Sequence, residues 1–187
     1  MSIKSDIEKL LDPDWDHFKP AVARLRAAGD AALAPLTLAL KNPDYYRKHN
    51  GVHCMQPSPL ESILEILADN ASKSSIEPIA SLLNNDDERI RKEAALALGE
   101  IGRVEGIPAI RRALKDLDDY VKSYAVMGIG RGTKRPHCTE AFRNELFNDV
   151  VILLDVSDYN AATQAPRTLL MLDRDKASVI LLSVLYD

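Results

Sequence analysis

The sequence is poor in cysteine and in aromatic residues, has no excess of basic charge, and holds no long apolar run. Two cysteines cannot supply a disulfide framework for a chain of 187 residues, so reduced thiols in a cytoplasmic setting are expected. Aromatic residues make up 5% of the chain, with a single tryptophan, too few for a pocket walled by stacked rings. Uninterrupted apolar stretches reach only a handful of residues, far short of the roughly 20 that span a bilayer, so no membrane insertion is expected. The opening MSIKSDIEKLLDPDWD is acidic and lacks the apolar centre of a secretory signal. Basic residues number 24 against 28 acidic ones, for a net charge of −4. A surface built wholly for nucleic acid would be basic, so that class is disfavoured, although a local basic stripe stays open. No G-x-S-x-G, phosphate-binding loop or dinucleotide fingerprint occurs. What remains is 46% hydrophobic and 28% charged residues, a globular balance that suits one compact domain or a short repeat array.

The chain repeats itself. With residues 76–99 laid over 107–130 at an offset of 31, Ile76, Ile79 and Leu83 fall on Ile107, Ile110 and Leu114. At the same offset Ile90, Arg91, Ala94, Leu98 and Gly99 fall on Val121, Lys122, Ala125, Ile129 and Gly130. The apolar spacing is helical, and the glycines are expected at helix ends. One unit then reads as a helix (75–85), an acidic turn (86–88) and a second helix (89–102). An offset of 43 finds an earlier first helix through Leu33, Leu36 and Leu40, and an offset of 40 finds a later one through Phe147, Val150 and Leu154. The longer offsets place insertions within 45–58 and 131–139. Pro166 falls inside the last second helix, where a kink or early stop is expected. The predicted organisation is a single all-α domain over 1–187: N-terminal cap helices in 1–29, repeats over 30–172 and a C-terminal cap helix at 174–187.

Over 74–130 the acidic turn, the basic residue at Arg91 and Lys122, the small-residue pairs and Ala97-Leu98-Gly99 resemble HEAT-like repeats, specifically the phycobilisome-lyase type. The resemblance implies an α-solenoid, a superhelical stack of antiparallel helix pairs, with the first helices on the convex side and the second on the concave side. No pair buries its apolar face alone, so stacking makes one continuous core. Bilin lyases share the generic repeat, but no bilin-specific signature is found.

Each chemical candidate has a simpler structural reading. Arg91 and Lys122 follow Asp86-Asp87 and Asp118-Asp119, so they are expected to bond turn carboxylates and carbonyls as a ladder. His49, His53 and Cys54, with His137-Cys138, contain zinc-type ligands without a recognised spacing, and no metal or other cofactor is expected. No catalytic residue is assigned, and no enzymatic activity is expected.

The free face of the second helices carries the functional expectation. Its predicted members are Arg89, Lys92, Glu93, Leu96 and Glu100, then Tyr120, Ser123, Tyr124, Met127 and Arg131, then Asn160, Thr163, Gln164, Arg167 and Met171, preceded one unit earlier by Ser58, Glu61, Ser62, Glu65 and Asp69. Tyr, Met and Arg are enriched at interfaces. A partner-binding site is therefore predicted on the concave side at Arg89, Lys92, Leu96, Tyr120, Tyr124, Met127, Arg131 and Arg167. The function read from this is a non-catalytic protein-interaction scaffold of bacterial character: an adaptor, an assembly factor or an immunity-type inhibitor. Charges grade from acidic at Glu61 and Glu65 to basic at Arg131, Lys134, Arg135 and Arg167, which suits a partner with an acidic patch. Nucleic-acid binding through these cations, and a bilin-lyase-like enzyme or pigment chaperone, are the alternatives.

Overall fold

The computed structural model describes residues 2–46, 57–154 and 159–186. Eleven α-helices account for most of them, and no strand occurs among the described residues. In order they are α1 (Ile3–Glu8), α2 (Trp15–Ala27), α3 (Asp30–Ala39), α4 (Pro59–Asn70), α5 (Lys73–Ser81), α6 (Glu88–Ile101), α7 (Ile107–Ala113), α8 (Asp119–Gly132), α9 (Glu140–Val151), α10 (Tyr159–Leu172) and α11 (Arg174–Tyr186). The fold class is all-α, a solenoid assembled from helix pairs, as the repeats predict. By contact the chain divides into two compact units, Met1–Ile79 and Ala80–Asp187.

Local sequence dictates where the helices begin. Ser58 and Glu61 form a reciprocal cap at α4: the Glu61 N–H donates to Ser58 Oγ at 3.2 Å, and the Ser58 N–H donates to Glu61 Oε2 at 2.8 Å. Two of the four orphan N–H groups of the helix start are thus satisfied. Second helices share another device, a relay of short acidic or amide side chains spaced by two. Before α6, the Asp87 N–H donates to Asn85 Oδ1 at 2.9 Å and the Arg89 N–H to Asp87 Oδ1 at 2.9 Å. Before α8, the Asp118 N–H donates to Asp116 at 2.9 Å and the Tyr120 N–H to Asp118 at 2.8 Å. The same relay runs through Asp12, Asp14 and Asp16 into α2, at 2.9 and 2.9 Å. Ala21 and Leu25 follow it at the spacing of Ala94 and Leu98, and all four are fully buried. The α1–α2 pair therefore enters its second helix by the chemistry of the repeats.

In the first unit α1 packs on α2 and α3, α2 on α4, and α3 on α4. Leu10, Phe18, Leu25, Leu36, Ile63 and Leu67 are its buried centre. Arg24 of α2 grips Asp6 of α1 through Nε at 3.0 Å and Nη2 at 2.7 Å. Arg26 of α2 pairs with Glu65 and Asp69 of α4.

In the second unit α6, α8 and α10 lie side by side, and α7 packs on α9. Every residue named for the repeat core, from Leu83 through Ile90, Ala94, Leu98, Ile110, Leu114, Val121 and Ala125 to Ile129, is buried. Gly99 and Gly130 do not end their helices, contrary to expectation. Gly102, in the left-handed region at φ 66°, caps α6 instead. Gly99 lies at the crossing with α8, where a Cβ would come within 2.5 Å of the Gly128 carbonyl carbon. Gly128 in turn faces the Leu96 carbonyl, so the two backbones touch through glycines. Gly130 faces α10, with Thr168 Oγ1 3.0 Å and Met171 Sδ 3.2 Å from where its Cβ would be. Pro166 neither ends nor shortens α10, which runs on to Leu172.

The basic ladder is present. Arg91 donates from Nε to Asp116 Oδ2 at 2.9 Å and from Nη2 to Asp116 Oδ1 at 3.1 Å, one repeat away. Its Nη1 reaches the Asn85 and Asp86 carbonyls at 3.0 and 3.0 Å. Lys122 bonds Asp119 of its own turn at 3.1 Å. The insertion at 131–139 closes over the C-terminal end of α6: Arg135 Nε donates to the Glu100 carbonyl at 3.2 Å and His137 Nε2 to the Ile101 carbonyl at 2.6 Å. Donors of this kind complement the negative end of a helix. His49, His53, Cys54 and most of the first insertion lie outside the described residues. Among the described residues no cluster of three metal-ligating side chains forms.

Candidate partner-binding face

The side chains nominated for binding divide between solvent and structure. On α6, Arg89 is exposed but turns back on its own helix cap, with Nε 2.9 Å and Nη2 2.6 Å from the Asp87 carboxylate. The Arg89 guanidinium holds the Asp87 carboxyl below the usual carboxylate range, and Asp87 raises the arginine in return. Lys92 sits with Nζ 4.8 Å from the centre of the Tyr124 ring and 3.8 Å from the Glu93 carboxylate. This packs the ammonium on an aromatic face and joins α6 to α8. Leu96 is half-buried.

On α8 the expected stripe survives in part. Tyr120 is 59% exposed, and Tyr124 and Met127 are half-buried. Arg131 is not free: Nη1 donates to Glu100 Oε1 at 2.5 Å and Nη2 approaches Met127 Sδ at 3.7 Å. Glu100 and Ser123, read as free-face positions, are buried. The glycine contact between α6 and α8 explains this. Backbones that touch cover the flanking positions that a wider crossing would leave open. Ser62, read as a free-face position of α4, is buried too.

On α10, Arg167 and Thr163 are exposed, and Gln164 and Met171 are half-buried. Thr168 ties α10 to α8 by donating to the Val126 carbonyl at 3.1 Å. Arg167 on α10 and Lys134 after α8 are exposed, and neither makes an ion pair among the described residues. The expected charge gradient is therefore largely consumed internally. Arg89, Lys92, Lys122 and Arg131 each have an acidic partner, and Glu65 and Asp69 are taken by Arg26.

One exposed apolar residue was missed by the sequence reading. Leu117, in the turn before α8 and three residues ahead of Tyr120, is fully exposed. At the repeat offset it stands where Asp86 stands in the preceding acidic turn, so an apolar residue breaks an otherwise acidic pattern. That break was the available signal. Leu170 of α10, 42% exposed, is a further apolar residue open to solvent.

Residues 56–130 match the family model of HEAT repeats. No curated protein sequence matches the chain significantly. Among solved structures, a computationally designed armadillo repeat protein for modular peptide recognition superposes with a TM-score of 0.50 at 16% identity, over 97% of this chain and 91% of that one. An engineered protein superposes with a TM-score of 0.53 at 18% identity, over 98% of this chain and 85% of that one. A second designed armadillo repeat protein gives 0.50 at 16% identity, over 94% and 90%. At such identities the likeness is one of fold.

Proposed function

We propose that the chain is a non-catalytic protein-interaction scaffold, and that its partner lies across the face formed by α6, α8 and α10. The observation that carries this reading is a set of apolar and aromatic side chains left open or half-open on the stacked second helices, Tyr120, Tyr124 and Met127 on α8 and Leu96 on α6, with Leu117 exposed in the turn before α8. Exposed apolar residues gathered in one place mark contact surfaces, and tyrosine is favoured at their energetic centres. Armadillo repeat proteins designed to recognise peptides share the fold, which agrees with a partner that offers a segment of chain. Arg167 and Lys134 remain to meet an acidic residue at the edge of that partner. Within the HEAT repeats, the acidic turn and Ala97-Leu98-Gly99 favour the phycobilisome-lyase type as the subtype.

Nucleic-acid binding is the weaker reading, because four cations on or beside this face are neutralised by neighbouring carboxylates. Counterion release requires basic groups that are free to meet phosphates.

Co-purification from the native host, with identification of the retained protein, tests the proposal. Tyr124→Ala is expected to weaken that complex by about 2 kcal/mol, while Asn144→Ala, an exposed position on the opposite layer, leaves it unchanged. Loss at Asn144 with none at Tyr124 would move the site away from this face. Retention of nucleic acid that falls steeply with salt would favour the alternative.

A further inference from the structure

A cavity of about 550 Å³ lies in the first unit, between α1, α3 and the turn Pro43–Tyr46. Its size is that of a small-molecule site. Helical spacing builds its walls. Lys4, Ile7 and Glu8 fall on one face of α1, and Pro35, Leu38 and Ala39 fall on one face of α3. Leu38 is 66% exposed, an apolar side chain left at the cavity and not drawn into the core. The turn at the end of the cavity is fixed. The Asp44 N–H donates to Asn42 Oδ1 at 3.0 Å, the Tyr45 N–H donates to the Asn42 carbonyl at 3.2 Å, and the Tyr46 hydroxyl donates to the Leu40 carbonyl.

Tyr45 lines this cavity and is only 6% exposed, yet its hydroxyl has no hydrogen-bond partner among the described residues. Nor is it sealed in the core, where the buried side-chain oxygens without a partner are those of Ser62 and Ser75. The hydroxyl therefore opens on the cavity. A buried tyrosine normally gives its hydroxyl a partner, and here the room for one is in the cavity. The charge around it is negative. Burial pushes the Tyr45 phenol up, and the carboxylates of Glu8 and Asp44 push it further. Glu8 is exposed and makes no ion pair among the described residues. Lys4, also exposed, stands one turn earlier on α1.

We propose that this cavity binds a small organic amine, whose apolar body lies against Ile7, Pro35, Leu38 and Ala39 and whose ammonium donates to the Tyr45 hydroxyl oxygen and the Glu8 carboxylate. The pattern is that of a ligand site: apolar walls, with a few polar groups that fix orientation. An ammonium supplies the donor that the phenol oxygen lacks, and its bond to a carboxylate is charge-assisted. A carboxylate ligand would meet Glu8 as a like charge. Lys4 disfavours a second positive charge further along α1, so the ligand carries one. The site is built wholly from residues of the first unit, whereas the face proposed for a protein partner belongs to the second.

Calorimetric titration of the full chain at pH 7 with phenylbutylamine, and with phenylbutyrate as the probe of opposite charge, tests this. The amine is expected to saturate one site, and the carboxylate to bind at least about tenfold more weakly. Glu8→Gln is expected to abolish most of that preference. Tyr45→Phe is expected to weaken the amine by roughly threefold to tenfold and to leave the thermal melt unchanged, because the hydroxyl bonds nothing in the fold. Leu38→Gln, at an exposed position, is expected to weaken both probes. Tyr124→Ala, in the second unit, is expected to leave amine binding as it is. No saturable heat with the amine up to about 10 mM, equal binding of amine and carboxylate, or amine binding indifferent to both Glu8→Gln and Tyr45→Phe overturns the proposal.

Discussion

Arg91 and Asp116 are joined by two hydrogen bonds across one repeat, Nε to Oδ2 at 2.9 Å and Nη2 to Oδ1 at 3.1 Å, while the same guanidinium closes the Asn85 and Asp86 carbonyls. The planar fork fills four contacts at once, which an ammonium cannot do. Both side chains are largely buried, at 17% and 13% exposure. Arg91→Lys is expected to lower unfolding stability by about 1.5–3 kcal/mol, in the range of hydrogen bonds to charged groups, read from the urea midpoint.

The same pair predicts a pH response. Burial pushes the Asp116 carboxyl up, but the Arg91 bonds, the Asp118 N–H and the nearby charges of Arg91 and Lys122 hold it below the usual carboxylate range. Arg24 does the same for Asp6, against its burial, and Arg89 for Asp87. A carboxyl with a depressed folded pKa contributes stability above its unfolded pKa and loses it as pH falls through the folded value. Stability is therefore expected to be level near neutrality and to drop below about pH 4. Asp116→Asn should be less stable at pH 7 and lose less on acidification. A wild-type chain whose urea midpoint rises on acidification would contradict the assignment.

Gly99 and Gly128 are expected to be among the most sensitive small residues, beside Gly132, whose Cβ would run into the Gly99 carbonyl oxygen. Alanine at Gly99 or Gly128 meets backbone of the facing helix and no flexible side-chain end, so the stack must separate. Gly99→Ala and Gly128→Ala are each expected to cost about 3 kcal/mol. Gly106→Ala, whose added carbon meets nothing closer than 3.7 Å, should cost far less. Thermal unfolding of the three variants orders them.

The helices and the core were legible because one unit recurs: matching Ile110 to Ile79 or Ala125 to Ala94 needs only the offset of 31. The face was less legible, because its state depends on distances that no single helix encodes. Glu100 looks free on a helical wheel of α6 but is buried once Gly99 and Gly128 draw α8 close. Arg131 looks free on α8 but meets Glu100, a residue 31 positions earlier. Gly99 itself was misread because a repeated glycine fits both a helix end and a helix crossing, and only the neighbouring backbone separates them. Leu117 could have been found, since it replaces an acid at a position the repeat makes acidic.

Leu117 therefore supports a prediction that separates binding from folding. Its side chain is fully exposed, so nothing in the fold depends on it. The neighbouring Asp118 supplies the α8 cap, accepting from the Tyr120 and Val121 N–H groups at 2.8 and 3.2 Å, and the relay from Asp116 stands without it. Leu117→Asp restores the residue type of the preceding turn and is expected to change stability by less than about 0.5 kcal/mol, as surface substitutions do. If a partner covers the α6–α8–α10 face, the same change places a carboxylate against the apolar centre of the contact. Burying an unpaired charge there is costly, and binding should weaken about tenfold or more, or roughly 1.4 kcal/mol. Tyr120→Ala, on the adjacent turn, should act in the same direction by about 2 kcal/mol. Titration calorimetry with the co-purified partner, beside thermal melts of both variants, gives the two readouts. A Leu117→Asp chain that melts and binds as wild type would place the partner elsewhere, and the exposed leucine would then be a feature of the turn alone.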